Sequence, residues 1–171
     1  MRVLHLPAAR AIAAIVLALA AVVPTAGGPD PADWPRWSWP LSGQRSVVVP
    51  FRAPVHEYGP GHRGADLAAA PGAKVLAPSD GVVAFSGTVV DRPLLTIEHA
   101  NGLVTTFEPV RSVLLPGEAV SAGQDVGLVD VGGHTSPGAL HIGVRRDGDY
   151  VNPMLLFGEV PRAILLPCCA R

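Results

Sequence analysis

Short runs of β-branched and apolar residues, separated by turn residues, recur along the chain from residue 47 onward. No segment after residue 46 keeps its apolar positions at a sustained 3.6-residue spacing, which argues against amphipathic helices. Glycine and proline stand between the runs, as expected for tight turns between strands. The pattern predicts strands at Val47–Val49, Lys74–Ala77, Gly81–Phe85, Leu94–Glu98, Leu103–Phe107, Ala119–Val120, Asp125–Val129, Ala139–Arg145 and Tyr150–Val151.

The turn residues indicate how these strands are connected. Pro78-Ser79-Asp80 separates two of them, and Ala100-Asn101-Gly102 contains the Asn-Gly pair that is typical of a β-hairpin. We expect His99, which stands beside this turn, to be solvated. Strands at this spacing with glycine turns favour an antiparallel sandwich or barrel. The predicted fold class is therefore all-β, an antiparallel β-sheet core with few or no helices outside the N-terminal segment.

The N-terminal residues have the pattern of a targeting segment. Arg2 and Arg10 flank the start of an apolar run from Ala11 to Val23, and small residues follow it. The run is shorter than the stretch of about 20 residues that a transmembrane helix requires. We therefore predict a signal peptide over residues 1–27 and a secreted, extracytoplasmic protein. An uncleaved membrane anchor is the alternative.

A segment rich in proline and tryptophan follows the apolar run. Its prolines preclude a regular helix or a central strand. Trp34, Trp37 and Trp39 are interpreted as covering an apolar edge of the domain or as part of a linker, with stacking on sugar rings as the alternative. The predicted organisation is a signal peptide (1–27), a linker (28–46), a β-sheet domain (47–157) and a C-terminal tail (158–171).

Charge and cysteine content narrow the possible partners. The formal net charge is −1, and no basic stripe with interleaved aromatic residues occurs, which argues against nucleic acid as the main partner. The charged residues between Arg145 and Asp149 are interpreted as a solvated hairpin tip. Cys168 and Cys169 are adjacent and cannot form a disulfide framework, so a vicinal bridge, an intermolecular bridge and free thiols all stay open.

His62 and Asp66 are the first candidates for metal ligands. They are four residues apart in a glycine-rich stretch, so both side chains can converge on one ion at a strand–turn junction. Zinc accepts imidazole nitrogen and carboxylate oxygen, and catalytic zinc sites use three protein ligands. His141, in the predicted strand Ala139–Arg145, is the candidate for the third. Taken alone, the His62–Asp66 pair fits a hydrogen-bonded structural contact better.

Four ordered motifs give these residues a context. In order along the chain, they are Tyr58-Gly-Pro-Gly-His-Arg-Gly-Ala-Asp-Leu, Ala77-Pro-Ser-Asp-Gly-Val-Val, Gly117-x-x-Val-x-x-Gly-x-x-Val-Gly, and Leu140-His141 followed by Val151-Asn152-Pro153. From about Val48 to Leu156 the sequence resembles the lysostaphin-type (LytM) zinc endopeptidases of bacterial cell walls. The resemblance implies a duplicated hybrid motif of β-sheets, with Zn²⁺ bound by His62, Asp66 and His141.

The sequence departs from this family at both helper histidines. Ala139 stands where the family has the first histidine of a His-x-His motif, and Pro109 replaces the histidine of its Tyr-x-His motif. Strand alternation places residues 139 and 141 on one face, so the missing imidazole would lie beside the metal. A general acid or base typically adds about 100- to 10,000-fold in rate. His134 is the candidate catalytic stand-in, with a surface loop histidine as the alternative, and Glu108 is a second candidate.

The resemblance therefore implies an exported metallopeptidase-like domain that hydrolyses peptidoglycan cross-link peptides when it is active. Its partners would be peptidoglycan peptides and a wall-associated protein. The alternative is a catalytically impaired wall-binding or regulatory module that retains the zinc site. A repeated β-turn-β pattern also suggests a biotinyl or lipoyl carrier domain. However, Lys74 is the only lysine of the chain and does not stand at a hairpin tip.

Overall fold

Antiparallel strands form nearly all of the regular structure in the computed structural model, which describes residues 34–56, 58–133 and 135–158. The predicted signal peptide, most of the tail and His134 lie outside the described residues. The strands are β1 (Val47–Val49), β2 (Ala65–Ala68), β3 (Lys74–Leu76), β4 (Gly81–Val89), β5 (Arg92–His99), β6 (Leu103–Glu108), β7 (Val110–Arg111), β8 (Ala119–Val120), β9 (Asp125–Val129), β10 (Ala139–Arg146) and β11 (Asp149–Val151). One short helix, α1 (Met154–Phe157), follows them.

The strands form two antiparallel sheets. The larger has eight strands in the order β1-β2-β10-β6-β5-β4-β8, with β11 also paired to β10. The smaller has three strands in the order β3-β9-β7. The Asn-Gly turn connects β5 to β6, and Asn101 has the left-handed φ of 62° that this turn requires. The predicted all-β fold class is confirmed.

Two short strands were not predicted from the sequence. β2 consists of Ala65–Ala68, which was expected to be a strand–turn junction, and β7 has only two residues. Neither segment has enough alternating apolar residues to identify a strand, and both are defined by the strands that they pair with. β2 lies between β1 and β10, and this pairing brings Asp66 next to His141.

One apolar core lies between the two sheets. Leu95, Ile97, Phe107 and Ile142 contribute from the large sheet and are fully buried. Val75 contributes from the small sheet and belongs to the same cluster. Because successive side chains of a strand point to opposite faces of the sheet, the face of β10 and β6 away from this core is left available for polar side chains.

The tryptophan-rich segment packs against this core. Trp34, Trp37 and Trp39 are all buried, and the Trp39 ring meets the Phe157 ring edge-on at 5.2 Å between centroids. The backbone N–H of Trp37 donates to the Leu156 carbonyl oxygen at 2.9 Å. This geometry agrees with packing rather than with sugar stacking, because the ring faces are covered.

His99 lies under the same segment, so the expectation that it is solvated was wrong. Its ring centroid is 4.7 Å from that of Trp37. Its Nδ1 donates to the Asp80 carbonyl oxygen at 2.8 Å, and its Nε2 accepts from the Thr105 hydroxyl at 2.9 Å. Burial lowers the pKa of His99 below its ordinary value of 6.5, because the charged form would lose hydration.

Lys74 lies at the start of β3 and forms an ion pair of 2.8 Å with Asp125 of β9. It is therefore held within a sheet rather than at the tip of a hairpin.

Across the described ranges, no helix has the length and hydrophobicity needed to cross a membrane.

Candidate functional site

Three polar residues on neighbouring strands lie in a row across the large sheet. Asp66 of β2 is directly opposite His141 of β10, and His141 is in turn opposite Glu108 of β6. Directly opposed residues of antiparallel strands project from the same face of the sheet. Strand register therefore determines which side chains meet, although 75 positions separate Asp66 from His141 along the chain.

The imidazole rings of His62 and His141 converge on one carboxylate oxygen of Asp66. Asp66 Oδ1 lies 3.1 Å from His62 Nε2 and 2.8 Å from His141 Nδ1. The two imidazole rings meet edge-on, with 5.0 Å between their centroids. One ligand atom from each of the three residues lies within 4.8 Å of the others. The structure thus brings His62, Asp66 and His141 together.

These donor atoms fit a tetrahedral zinc ion. Zinc–nitrogen and zinc–oxygen bonds of about 2.0–2.1 Å place neighbouring ligand atoms about 3.3 Å apart in a tetrahedron. The separations from Asp66 Oδ1, 3.1 and 2.8 Å, are somewhat shorter than that value. His62 Nδ1 donates to the Pro50 carbonyl oxygen at 2.9 Å, which leaves the lone pair of Nε2 for a metal. Such a hydrogen bond fixes the ring orientation of a metal-binding histidine.

Gly64 provides the space in which the His141 ring sits. A Cβ atom at this position would stand 2.5 Å from His141 Nε2 and still closer to the Ile142 carbonyl oxygen. Real Cβ atoms do not approach other atoms so closely, and the Ile142 oxygen belongs to the backbone of β10. A glycine is therefore needed between His62 and Asp66.

An open groove of about 570 Å³ runs over this face of the sheet. His62 and His141 both line it. Several small or hydroxyl-bearing residues form its floor, and three arginines and a tyrosine stand around it. The main lining residues are Gly61, Thr96, Thr106, Gly143, Arg63, Arg92, Arg145 and Tyr150.

An ion pair beside the histidines was not predicted from the sequence. Arg92 donates from Nε and Nη2 to the two carboxylate oxygens of Glu108 at 2.9 and 2.8 Å. The Glu108 side chain is 2% exposed and that of Arg92 is 44% exposed. These hydrogen bonds raise the pKa of Arg92 above its ordinary value. Nothing in the sequence identifies Arg92, because only the pairing of β5 with β6 brings it to Glu108.

The two positions that lack helper histidines lie together. Ala139 and Pro109 both line a second cavity of about 280 Å³. Gly133 and Thr135, which flank His134 in the sequence, line the same cavity. Gly133 also abuts the Glu108 carboxylate. The role of His134 stays a prediction, because that residue is outside the described ranges.

The chain thus combines an antiparallel β core with a His–Asp–His cluster in an open groove. Residues 60–153 match the model of peptidase family M23, and the chain belongs to that family. The predicted membership of the LytM-type group is confirmed by this match.

Known proteins resemble the chain over most of its length. An uncharacterized protein of Mycobacterium tuberculosis is 36% identical over 139 residues, which cover 78% of this chain and 56% of the relative. The murein hydrolase activator NlpD of Escherichia coli is 29% identical over 121 residues, which cover 69% of this chain and 30% of NlpD. The chain therefore spans about half the length of its mycobacterial relative and less of NlpD.

A solved structure shows that the match extends to a whole catalytic domain. A single-residue mutant of the catalytic domain of the prophage-encoded M23 protein EnpA from Enterococcus faecalis superimposes with a TM-score of 0.57 and 26% identity. The match covers 72% of this chain and 96% of the EnpA domain. The match therefore includes nearly all of the EnpA catalytic domain.

Proposed function

We propose that the protein is an extracytoplasmic zinc peptidase that hydrolyses cross-link peptides of peptidoglycan, with His62, Asp66 and His141 as its metal ligands. The observation that supports this most strongly is the convergence of both imidazoles on Asp66 Oδ1, at 3.1 and 2.8 Å. Family M23 membership supports peptide hydrolysis. The similarity to an activator of murein hydrolases supports peptidoglycan as the target.

A zinc ion held by His62, Asp66 and His141 would supply a Lewis acid that polarises the carbonyl group of a peptide. The protein contributes orientation and a path for the substrate. The Pro50 carbonyl oxygen holds His62 in one orientation, and Gly64 leaves space for His141. The open groove receives an extended peptide along β10, so that one peptide bond lies beside the histidines.

Proton transfer is the least typical part of the site. Ala139 and Pro109 cannot exchange a proton, and Glu108 is held in a bidentate ion pair with Arg92. We assign proton transfer to His134, because both of its sequence neighbours line the cavity beside the two substituted positions. The loss of each helper histidine lowers the rate by up to a factor of about 100 to 10,000. We therefore expect slow turnover.

Export is part of the same proposal. We assign residues 1–27 to a signal peptide or membrane anchor, since a positive start and a short apolar run precede the domain. The domain would then act in the cell wall, where cross-link peptides are found. Expression with and without residues 1–27, followed by fractionation of the cells, tests this assignment.

Metal analysis together with a cleavage assay tests the function. We expect the purified protein to bind one zinc ion and to release fragments from cross-linked muropeptides. Asp66→Asn should abolish both properties. Asp125→Asn is the matched control, because Asp125 lies in the small sheet and pairs with Lys74. Zinc binding together with muropeptide binding, but without any cleavage, would instead favour the impaired regulatory module.

A further inference from the structure

Arg145 and Tyr150 line the same groove as the two histidines. They are directly opposite each other on β10 and β11. The Arg145 guanidinium carbon lies 6.0 Å from the centre of the Tyr150 ring. The Arg63 guanidinium approaches the same ring at the same distance. Tyr150 thereby holds Arg145 in the groove through a contact between a cation and an aromatic ring.

The strand fixes the distance between this feature and the metal ligands. His141, Gly143 and Arg145 are alternate residues of β10 and all three line the groove. Four residues of a strand span about 13 Å at about 3.3 Å per residue. An extended peptide that lies along β10 therefore passes from the histidines to Arg145 within about four of its own residues.

The floor between these two points is low and polar. Gly143 has no side chain to obstruct a bound peptide, and it pairs with Thr106 of β6. The Thr106 hydroxyl lies 3.3 Å from the Thr96 hydroxyl of β5. A peptide backbone can therefore lie close to the sheet and form hydrogen bonds with hydroxyl groups along the way.

Arg145 and Arg92 differ in whether a carboxylate of the protein neutralises their charge. Glu108 balances Arg92 through two hydrogen bonds. In the described part of the chain, Arg145 has no carboxylate oxygen within the 4.0 Å of an ion pair, and its side chain is exposed. A guanidinium group has planar donors that match the two oxygens of a carboxylate. The groove around Arg145 is therefore suited to a carboxylate that arrives with a ligand.

We propose that Arg145, supported by Tyr150, is a specificity residue that binds a free carboxylate of the substrate peptide. This inference rests on the proposed peptidase function and narrows it. The substrate class is a peptide with a carboxylate, on its backbone terminus or a side chain, within about four residues of the cleaved bond. Peptides in which a carboxamide replaces this carboxylate are poor ligands.

A comparison of two forms of one probe tests the inference. The probe is a purified, cross-linked muropeptide dimer, used with free carboxylates and after conversion of these to carboxamides. Binding is measured in the presence of a metal chelator, where turnover is prevented, and cleavage is measured with zinc. We expect the wild-type protein to bind the free form about tenfold or more tightly than the amidated form.

Two neighbouring arginines provide a matched pair of variants. Arg145→Gln should reduce the preference to about one, and Arg145→Lys should retain part of it. Arg146→Gln should keep the wild-type preference, because Arg146 is the next residue of the strand and its guanidinium lies over Trp34, at 4.9 Å from the ring centre. Equal melting temperatures of the two glutamine variants would show that any difference is due to binding.

The outcomes separate this inference from the proposed function. Cleavage of both forms without a preference overturns the carboxylate site and leaves the peptidase function intact. An unchanged preference in Arg145→Gln also overturns the site, because another residue would then bind the carboxylate. If the wild-type protein neither binds nor cleaves either form, both proposals are wrong.

Discussion

Asp66 and His141 lie directly opposite each other on β2 and β10, with 2.8 Å between Asp66 Oδ1 and His141 Nδ1. His62 approaches the same oxygen from the loop that precedes β2. One carboxylate oxygen is thus shared by two imidazoles. The proposed zinc ion would join these three groups.

Zinc should stabilise the folded protein, because the unfolded chain does not hold the three ligands together. We expect the melting temperature to rise when zinc is added to chelator-treated protein, and this rise to be absent in His141→Ala. A ligand at about 100 times its Kd adds about 2.7 kcal/mol to the free energy of unfolding. His56→Ala, which removes an exposed histidine, is the control, and differential scanning calorimetry is the measurement.

Gly64→Ala should weaken metal binding although it removes no ligand. The added methyl group would displace the His141 ring, because the other atom in its way belongs to the backbone of β10. We expect zinc affinity to fall by about tenfold or more, as when groups that orient metal ligands are lost. Competition with a chromophoric chelator measures the affinity. Gly87→Ala is the control, because the nearest neighbour of its added methyl group would be the end of the Phe85 ring. Wild-type zinc affinity in this variant would show that a change from glycine to alanine does not by itself weaken metal binding.

The ion pair between Arg92 and Glu108 should be needed for stability. Arg92→Met removes two hydrogen bonds from a buried carboxylate, and we expect a loss of about 2–3 kcal/mol in the free energy of unfolding. This is less than for a fully buried pair, because the Arg92 side chain is 44% exposed. Urea denaturation measures the change.

Two further variants test the cause of that loss. The double variant Arg92→Met/Glu108→Leu should recover part of it, because the buried charge is then absent as well. Arg111→Met should have little effect, since the ion pair of Arg111 with Asp130 is long, at 3.4 Å, and the Arg111 side chain is 69% exposed. If Arg111→Met is as destabilising as Arg92→Met, burial of Glu108 is not the reason.

His99 should make the protein less stable in acid. Because burial lowers the pKa of folded His99 below 6.5, the unfolded chain takes up a proton first as the pH falls. The stability contribution is therefore complete above the unfolded pKa, and it decreases as the pH falls below about 6.5 towards the folded pKa. Urea denaturation between pH 7.5 and 4.5 should show a smaller acid-side slope in His99→Gln. The slope in His56→Gln should match the wild type, and an unaltered slope in His99→Gln would contradict the prediction.

The pattern of the sequence was sufficient for the architecture. All of the predicted strands are present, because each combines β-branched or apolar residues with a glycine, proline or asparagine turn. These preferences are local, so they do not depend on the rest of the fold. β2 was missed because Ala65–Ala68 becomes a strand only by pairing with β1 and β10.

The sequence by itself determined the fold class, the M23-like motifs and three candidate ligands, since residue type and spacing carry that information. Only the tertiary structure decided how side chains from separate strands meet. The register between β2, β10 and β6 aligns Asp66 with His141 and His141 with Glu108. Other tertiary contacts bring Arg92 to Glu108, Trp37 to His99 and Arg145 to Tyr150. Contacts between distant residues depend on strand register and burial, which no local pattern encodes.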